Sequence, residues 1–362
     1  MITSKKAVCT LLLGLFFLIP GFMRISEANT RDLSSMTLEE KVGQIMLVFF
    51  EGGAMSENLQ KFISEIKVGG VILYSSRNNI ESAEQVADLN ESIQRRALAS
   101  SSRPLFIAID QEGGLIARIR EGVTPFPGNM ALGAAGDPSL AGRVASVMGE
   151  ELASLGINMN FAPVVDVNNN PLNPIIGVRS FGSDPQEVAR LGAAMISSFL
   201  EKGVFPSAKH FPGHGDTEVD SHSGLPIINV SKDRLNSVEF PPFKAAVNAG
   251  VPMVMTAHVL VPALDEKNPA TLSPAILGLL RTELNFKGLI ITDSMGMAAL
   301  KKERTTEEAA IEAMNAGADI LLFGADKGHE ETEHFNMYNA LLKACVEGEI
   351  PISRLDDAVR KV

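Results

Sequence analysis

The 362-residue sequence has no tryptophan, two tyrosines and two cysteines. Without an indole, a long open groove that grips a polymer by stacking is disfavoured, so a ligand has to be held by polar contacts. Cys9 lies in the N-terminal segment, before its apolar run, which leaves Cys345 alone in the rest of the chain. One cysteine excludes an internal disulfide and a cysteine-rich zinc site, and among its apolar neighbours Cys345 reads as inert packing. Basic charge is scarce as well: 32 Lys and Arg against 43 Asp and Glu give a net −11. A nucleic-acid binder needs a basic stripe to displace counterions, and this balance is a poor start for one. The acidity reads as solubility.

Long apolar runs are missing too, except near the start. Lys5 and Lys6 precede LLLGLFFLI, and Ser26-Glu27-Ala28 offers small residues for cleavage. Residues 1–28 therefore read as an export signal, placing the protein outside the cytoplasm (secreted, periplasmic or in the cell envelope). Pro20 and the short run argue against a membrane span, so an uncleaved anchor is the weaker reading. About 334 residues remain, 29–362, enough for one large barrel-type domain or two ordinary ones. With 45% hydrophobic and 21% charged residues, they have the composition of a packed domain.

Eight short apolar runs alternate with helix-length amphipathic segments. The runs begin at Gly43, Gly69, Pro104, Ile157, Gly203, Pro252, Gly288 and Ala318. Each is continuously apolar rather than alternating, as expected of parallel strands buried on both faces. Asp137-Pro138 and Asp184-Pro185 pair a capping residue with a proline at the first helical position; the helices they open should end near Gly156 and Gly203. Eight such βα units predict an α/β fold, a single-domain (β/α)8 TIM-type barrel. An open doubly wound sheet is weakened because no GxGxxG turn follows the first strand.

Barrel enzymes carry their chemistry at the C-terminal ends of the strands. Tyr74, Asp110, Asp166, Lys209-His210, His258 and Asp293 all fall there. So many ionisable strand ends would be costly without a use. The densest segment is KHFPGHGDTEVDSH, Lys209 to His222. His210 and His214 have helical spacing for a metal, but FPG between them forbids a regular helix, and the first strand lacks an HxH pair; a metal site is an open reading but not the favoured one. The acid/base reading is stronger. Asp220 and His222 are two apart, so in extended chain they share a side, and the carboxylate can orient the imidazole. Such an imidazole can protonate a leaving group and then deprotonate a nucleophile. Asp293, in ITDSMGM, would face it across the barrel mouth as a candidate nucleophile. Glu112-Gly113-Gly114 and Gly213-His214-Gly215 read as tight turns, and His214 as a loop-fixing residue. His258 is evenly balanced between pocket and structure. His329 and His334, in a charged stretch, read as solvated. Met295 and Met297 are expected to pack around the Asp293 loop.

KHFPGHGDTEVDSH resembles the signature loop of glycoside hydrolase family 3, in its β-N-acetylglucosaminidase branch. IDQEGGLIAR, NPIIGVRSF and ITDSMGM resemble that family's other barrel segments, in the same order. The resemblance implies Asp293 as the nucleophile, His222 as acid/base and Asp220 as its partner. It implies Asp110, Arg118, Arg179, Lys209 and His210 as the residues that hold the sugar. Arg179 and Lys209 would also help keep Asp293 ionised if they sit near it. Leu115 departs from relatives that carry a basic residue there, and is expected to tune the pocket rim. The mechanism implied is retaining double displacement. The expected enzyme is an exo-β-N-acetylhexosaminidase, without cofactor and monomeric, that removes terminal GlcNAc from a small carbohydrate such as a peptidoglycan fragment or chito-oligosaccharide.

A histidine base does not repel an anion as a carboxylate would, so phosphate in place of water is one alternative, giving a phosphorylase. A broader β-glucosidase is another within the family. A metal-dependent amidohydrolase and a non-catalytic sugar-binding barrel are the rivals outside it.

Overall fold

All eight apolar runs form strands of one parallel sheet in the computed structural model, which describes residues 33–301 and 304–362. In chain order they are β1 (Met46–Phe49), β2 (Gly70–Ile72), β3 (Phe106–Ile109), β4 (Met159–Asn160), β5 (Phe205–Phe211), β6 (Met253–Thr256), β7 (Leu289–Ile291) and β8 (Leu321–Phe323). Consecutive strands pair in parallel, and β8 returns to pair with β1 through Met46–Leu321, Leu47–Leu322 and Val48–Phe323. A single parallel bridge between Ile291 and Ile320 joins the remaining edge. The result is a nearly closed (β/α)8 barrel. The expected leader, residues 1–28, lies outside the described residues.

Alternate strand residues face two different cores. Leu47, Phe49, Ile72, Phe161, Met255 and Leu322 pack inside the barrel. Val48, Val71, Ile107, Val254, Ile290 and Leu321 pack outward against the helices. Both faces are therefore dry, which is why the runs lack polar alternation. Each fully buried Leu, Ile or Phe contributes roughly 1.5–3 kcal/mol of transfer free energy.

The punctuation between strands also behaves as its residue types require. Asp137 caps the Pro138–Ser154 helix by accepting from Ser139 N at 2.9 Å, and Asp184 caps Pro185–Glu201 by accepting from Gln186 N at 2.8 Å. Gly156 and Gly203, both at φ 75°, turn the chain from these helices into the next strands. Cys345 is buried in the Glu333–Glu347 helix, and burial pushes its thiol up to about 11.

Two expectations need correction. The fourth strand is much shorter than its apolar run, because Pro163 has no N–H for the ladder; one bridge, Val164 to Lys209, continues it. His329 and His334 are not solvated. His334 Nε2 donates to Phe49 O at 3.0 Å, its ring packs edge-on against Phe49 and Phe62, and burial holds its pKa down at about 3. His329 is buried too, with Nε2 2.9 Å from Lys301 Nζ. From the charged stretch after β8, His329, Glu331 and His334 turn inward while Lys327, Glu330 and Glu333 stay exposed. Among the described residues no helix is long and apolar enough to cross a membrane.

Candidate active site

The strand ends converge on a cavity of about 670 Å³ at the C-terminal mouth of the barrel. Asp110, Arg118, Arg179, Lys209, His210, His222 and Asp293 all line it; Asp220 stands just behind His222.

The floor is an ion network. Lys209, only 2% exposed, reaches Asp110 Oδ1 at 2.9 Å and Glu112 Oε1 at 2.7 Å. Arg179 forks onto Glu112, Nε to Oε2 at 2.9 Å and Nη2 to Oε1 at 2.8 Å. Arg118 Nη2 meets Asp110 Oδ2 at 3.3 Å and lies over the Tyr74 ring. Burial alone would raise the Glu112 carboxyl; Arg179 and Lys209 overcome that and bring it down to about 2. A short hairpin, Gln111–Gly113 with Ile116–Ala117, carries Glu112; Gly113 and Gly114, at φ 91° and 59°, make its turn. Leu115, 70% exposed, is at the tip.

Glu112 was hidden in the sequence among turn glycines. The available signal was its spacing of two from Asp110, which places both carboxylates on one side of an extended segment. Asp326, in the loop after β8, is a second lining residue that the sequence did not single out. Nothing in ADILLFGAD marks it except its place at the end of the last strand.

His210 is oriented from behind. Asp166 Oδ2 lies 2.7 Å from His210 Nδ1, and Asp166 Oδ1 accepts from the His210 and His214 amides at 3.1 and 2.8 Å. With Asp166 ionised, Nδ1 donates and Nε2 remains for the cavity. His214 does fix a loop: its ring nitrogens meet Thr217 Oγ1 at 2.8 Å and Ser221 Oγ at 3.1 Å. Burial, then the neighbouring His210, holds its pKa at about 4, so the ring is neutral. His258 does not line the cavity. It is fully buried, and its Nε2–H donates to Ser294 O at 2.8 Å.

Asp220 and His222 are joined, by a turn rather than an extended strand. Asp220 Oδ1 accepts from His222 N at 2.9 Å and sits 2.8 Å from its Nδ1. Ser221 O accepts from Ala299 N at 3.2 Å, which ties this loop to the segment after Asp293. Asp293 Oδ1 accepts from Ser294 N at 2.7 Å. Burial works against its charge, but His210 and His258, then that N–H, then His222, hold the carboxyl below its ordinary range. The leading partners that favour the Asp293 charge are imidazoles, while Arg179 is bonded to Glu112 and Lys209 to both Glu112 and Asp110. Met295 and Met297 are buried around the loop, as expected. Among the described residues no group of three or more His, Cys, Asp or Glu side chains is arranged to hold a metal ion.

The pocket of this parallel barrel is rich in paired charge and poor in aromatic surface. A family model described as "Glycosyl hydrolase family 3 N terminal domain" matches residues 37–362. The chain belongs to that family. It is 44% identical over 309 residues to "Beta-hexosaminidase A" of Pseudoalteromonas piscicida, an alignment covering 80% of this chain and 51% of that one. It is 36% identical over 284 residues to a "Beta-hexosaminidase" of Alkalilimnicola ehrlichii, covering 76% and 79%. Among solved structures, a family 3 beta-N-acetylglucosaminidase from Paenibacillus sp. FPU-7 superimposes with a TM-score of 0.87 at 46% identity, over 90% of this chain and 61% of that one. The chain thus spans about half the length of the Pseudoalteromonas relative and most of the Alkalilimnicola one.

Proposed function

We propose that the chain is a retaining exo-β-N-acetylglucosaminidase. The observation that carries the reading is a carboxylate held ionised, Asp293, in the same pocket as an imidazole oriented by a carboxylate, His222 with Asp220. The similarity to proteins named beta-hexosaminidase and beta-N-acetylglucosaminidase supports it.

In this reading Asp110, Arg118, Arg179, Lys209 and His210 hold the hydroxyls of one terminal sugar. The His222 Nδ1–H rests on Asp220, and Nε2–H protonates the glycosidic oxygen as Asp293 attacks the anomeric carbon. The C–O bond to the leaving group breaks and a glycosyl ester forms on Asp293. Nε2, now unprotonated, takes a proton from water, which attacks the anomeric carbon and frees the carboxylate. Peptidoglycan fragments or chito-oligosaccharides are the proposed substrates, and residues 1–28 the proposed export leader of a monomer.

The test is turnover of an aryl N-acetyl-β-glucosaminide. His222→Ala should lose about 10²–10⁴-fold in kcat, and Asp293→Ala should be inactive with its fold intact. NMR of the first-formed product should show the β anomer. Near-normal turnover by the Asp293 variant, or an α product, would sink the mechanism.

A further inference from the structure

The segment after β8 is pressed unusually close to the loop that carries Asp293. Ser294 is held on every polar atom: its N–H donates to Asp293, its carbonyl accepts from His258, its hydroxyl accepts from Gly324 N at 2.9 Å and donates to Asp326 Oδ2. Two glycines mark the approach. A Cβ on Gly296 would lie 2.6 Å from Asp326 Oδ2 and run into the His329 ring. A Cβ on Gly324 would meet Ser294 Oγ at 2.7 Å and Tyr74 Oη at 2.9 Å. The Asp326 backbone is anchored as well, its carbonyl accepting from His329 N at 3.1 Å and from Arg77 Nη2 at 3.3 Å. A carboxylate that lines the pocket is thus bonded to the hydroxyl of the residue whose backbone N–H holds the candidate nucleophile.

We infer that Asp326 is a positioning residue for the reaction proposed above: through the Ser294 hydroxyl it locks the Asp293 loop and sets a second negative charge beside it. The inference rests on the reading of Asp293 as nucleophile. When Asp293 bonds to the anomeric carbon its charge is lost, and a neighbouring carboxylate favours that loss by easing the repulsion between the two. The oxocarbenium-like transition state gains from the same charge.

The two carboxylates are also separated in acidity. Burial, opposed by the Ser294 hydroxyl and assisted by the charge of Asp293, pushes Asp326 up to about 6. His222 and Lys301 face it and act the other way, while Arg77 and His329 meet only its carbonyl and Tyr74 stays a neutral phenol. Asp293 is therefore ionised well before Asp326 is.

The experiment is the pH dependence of kcat/KM on an aryl N-acetyl-β-glucosaminide for wild type, Asp326→Asn, Ser294→Ala and the double variant, with Asp293→Ala as control. Asp326→Asn keeps size and an acceptor but removes the charge. At pH 7.5 it should lose about tenfold in kcat/KM, the factor for one charge-assisted hydrogen bond, mostly through kcat. The wild-type acidic limb near pH 6 should vanish, so the two profiles meet below about pH 5. Ser294→Ala should lose a similar factor, and the double variant no more than either alone. Should Asp326→Asn fail to fold, Ser294→Ala alone must still lose rate in kcat rather than KM.

An unchanged rate and an unchanged acidic limb in Asp326→Asn, or additive losses in the double variant, overturn the assignment. If Asp293→Ala is active, the reading of function falls. If that variant is inactive while Asp326→Asn behaves as wild type, only the role of Asp326 falls.

Discussion

Glu112→Gln tests the floor of the pocket most directly, because the replacement keeps the shape and removes one charge. Glu112 is 3% exposed and is the common partner of Arg179 and Lys209. Its carboxyl is depressed on folding from 4.5 to about 2. By linkage, such a group contributes about 3 kcal/mol at pH 7, where it is ionised in both folded and unfolded chains. The contribution is complete above 4.5 and is lost as pH falls through the folded value, so at pH 3 about 1.4 kcal/mol remains. The variant should therefore be less stable by about 3 kcal/mol at neutral pH, within the range for breaking a buried pair. With an unfolding entropy of ~2.1 cal/mol/K per residue over roughly 330 residues, that is a drop of about 4 °C in Tm. The assay is thermal unfolding at pH 7 together with urea unfolding at pH 7 and at pH 3, with KM measured alongside; KM should rise as the two cations lose their shared anchor. A Tm within 1 °C of wild type at pH 7, or a stability gap as wide at pH 3 as at pH 7, refutes the reasoning.

Three further outcomes follow from other parts of the molecule. Asp319, fully buried at the start of β8, binds Arg281 at 2.6 Å, Arg354 at 2.9 Å and Lys361 at 3.0 Å, so Asp319→Ala should cost about 3–5 kcal/mol in urea unfolding with kcat unchanged. A fall in kcat without a fall in stability would contradict that placement. His334 is neutral when folded, down to about pH 3, so the unfolded chain takes up its proton first and stability is lost as pH drops below 6.5. Replacing it with Phe should shrink the stability difference between pH 8 and pH 5 by about 2 kcal/mol, read from denaturant midpoints; an undiminished difference counts against it. Gly296→Ala should lower both stability, by about 1–3 kcal/mol, and kcat, since the added methyl meets His329 and Asp326; wild-type turnover and Tm would show that the loop has room.

The barrel was legible because its signal is one of local composition. Strands buried on both faces are apolar throughout, and Asp-Pro followed by Gly punctuates helices whatever surrounds them. Pro163 shortens β4, and apolarity alone does not show that a missing N–H interrupts the ladder. The candidate site was legible as a set of residues but less so as a set of partners. Asp220 and His222 do meet, yet through a turn, because the carboxylate bonds the backbone as well as the ring. Arg179 and Lys209 both bond Glu112, a residue that its glycine neighbours disguised. His329 and His334 look solvated among charges, whereas the fold brings that loop across β1, and sequence does not report which surface a charged stretch will cover.

Lys209 divides its three protons' worth of attraction between Asp110 and Glu112, and Arg179 is already forked onto Glu112. The cations of the pocket floor thus arrive at any encounter with their charge spoken for. A ligand finds directed donors and acceptors there, but no unanswered field to pull it in. Discrimination falls to the pattern of hydroxyls around a ring, and binding of a neutral sugar should be nearly indifferent to ionic strength. The same balance leaves an inorganic anion little to gain from the floor, so any anion that reacts here has to be recruited at the mouth.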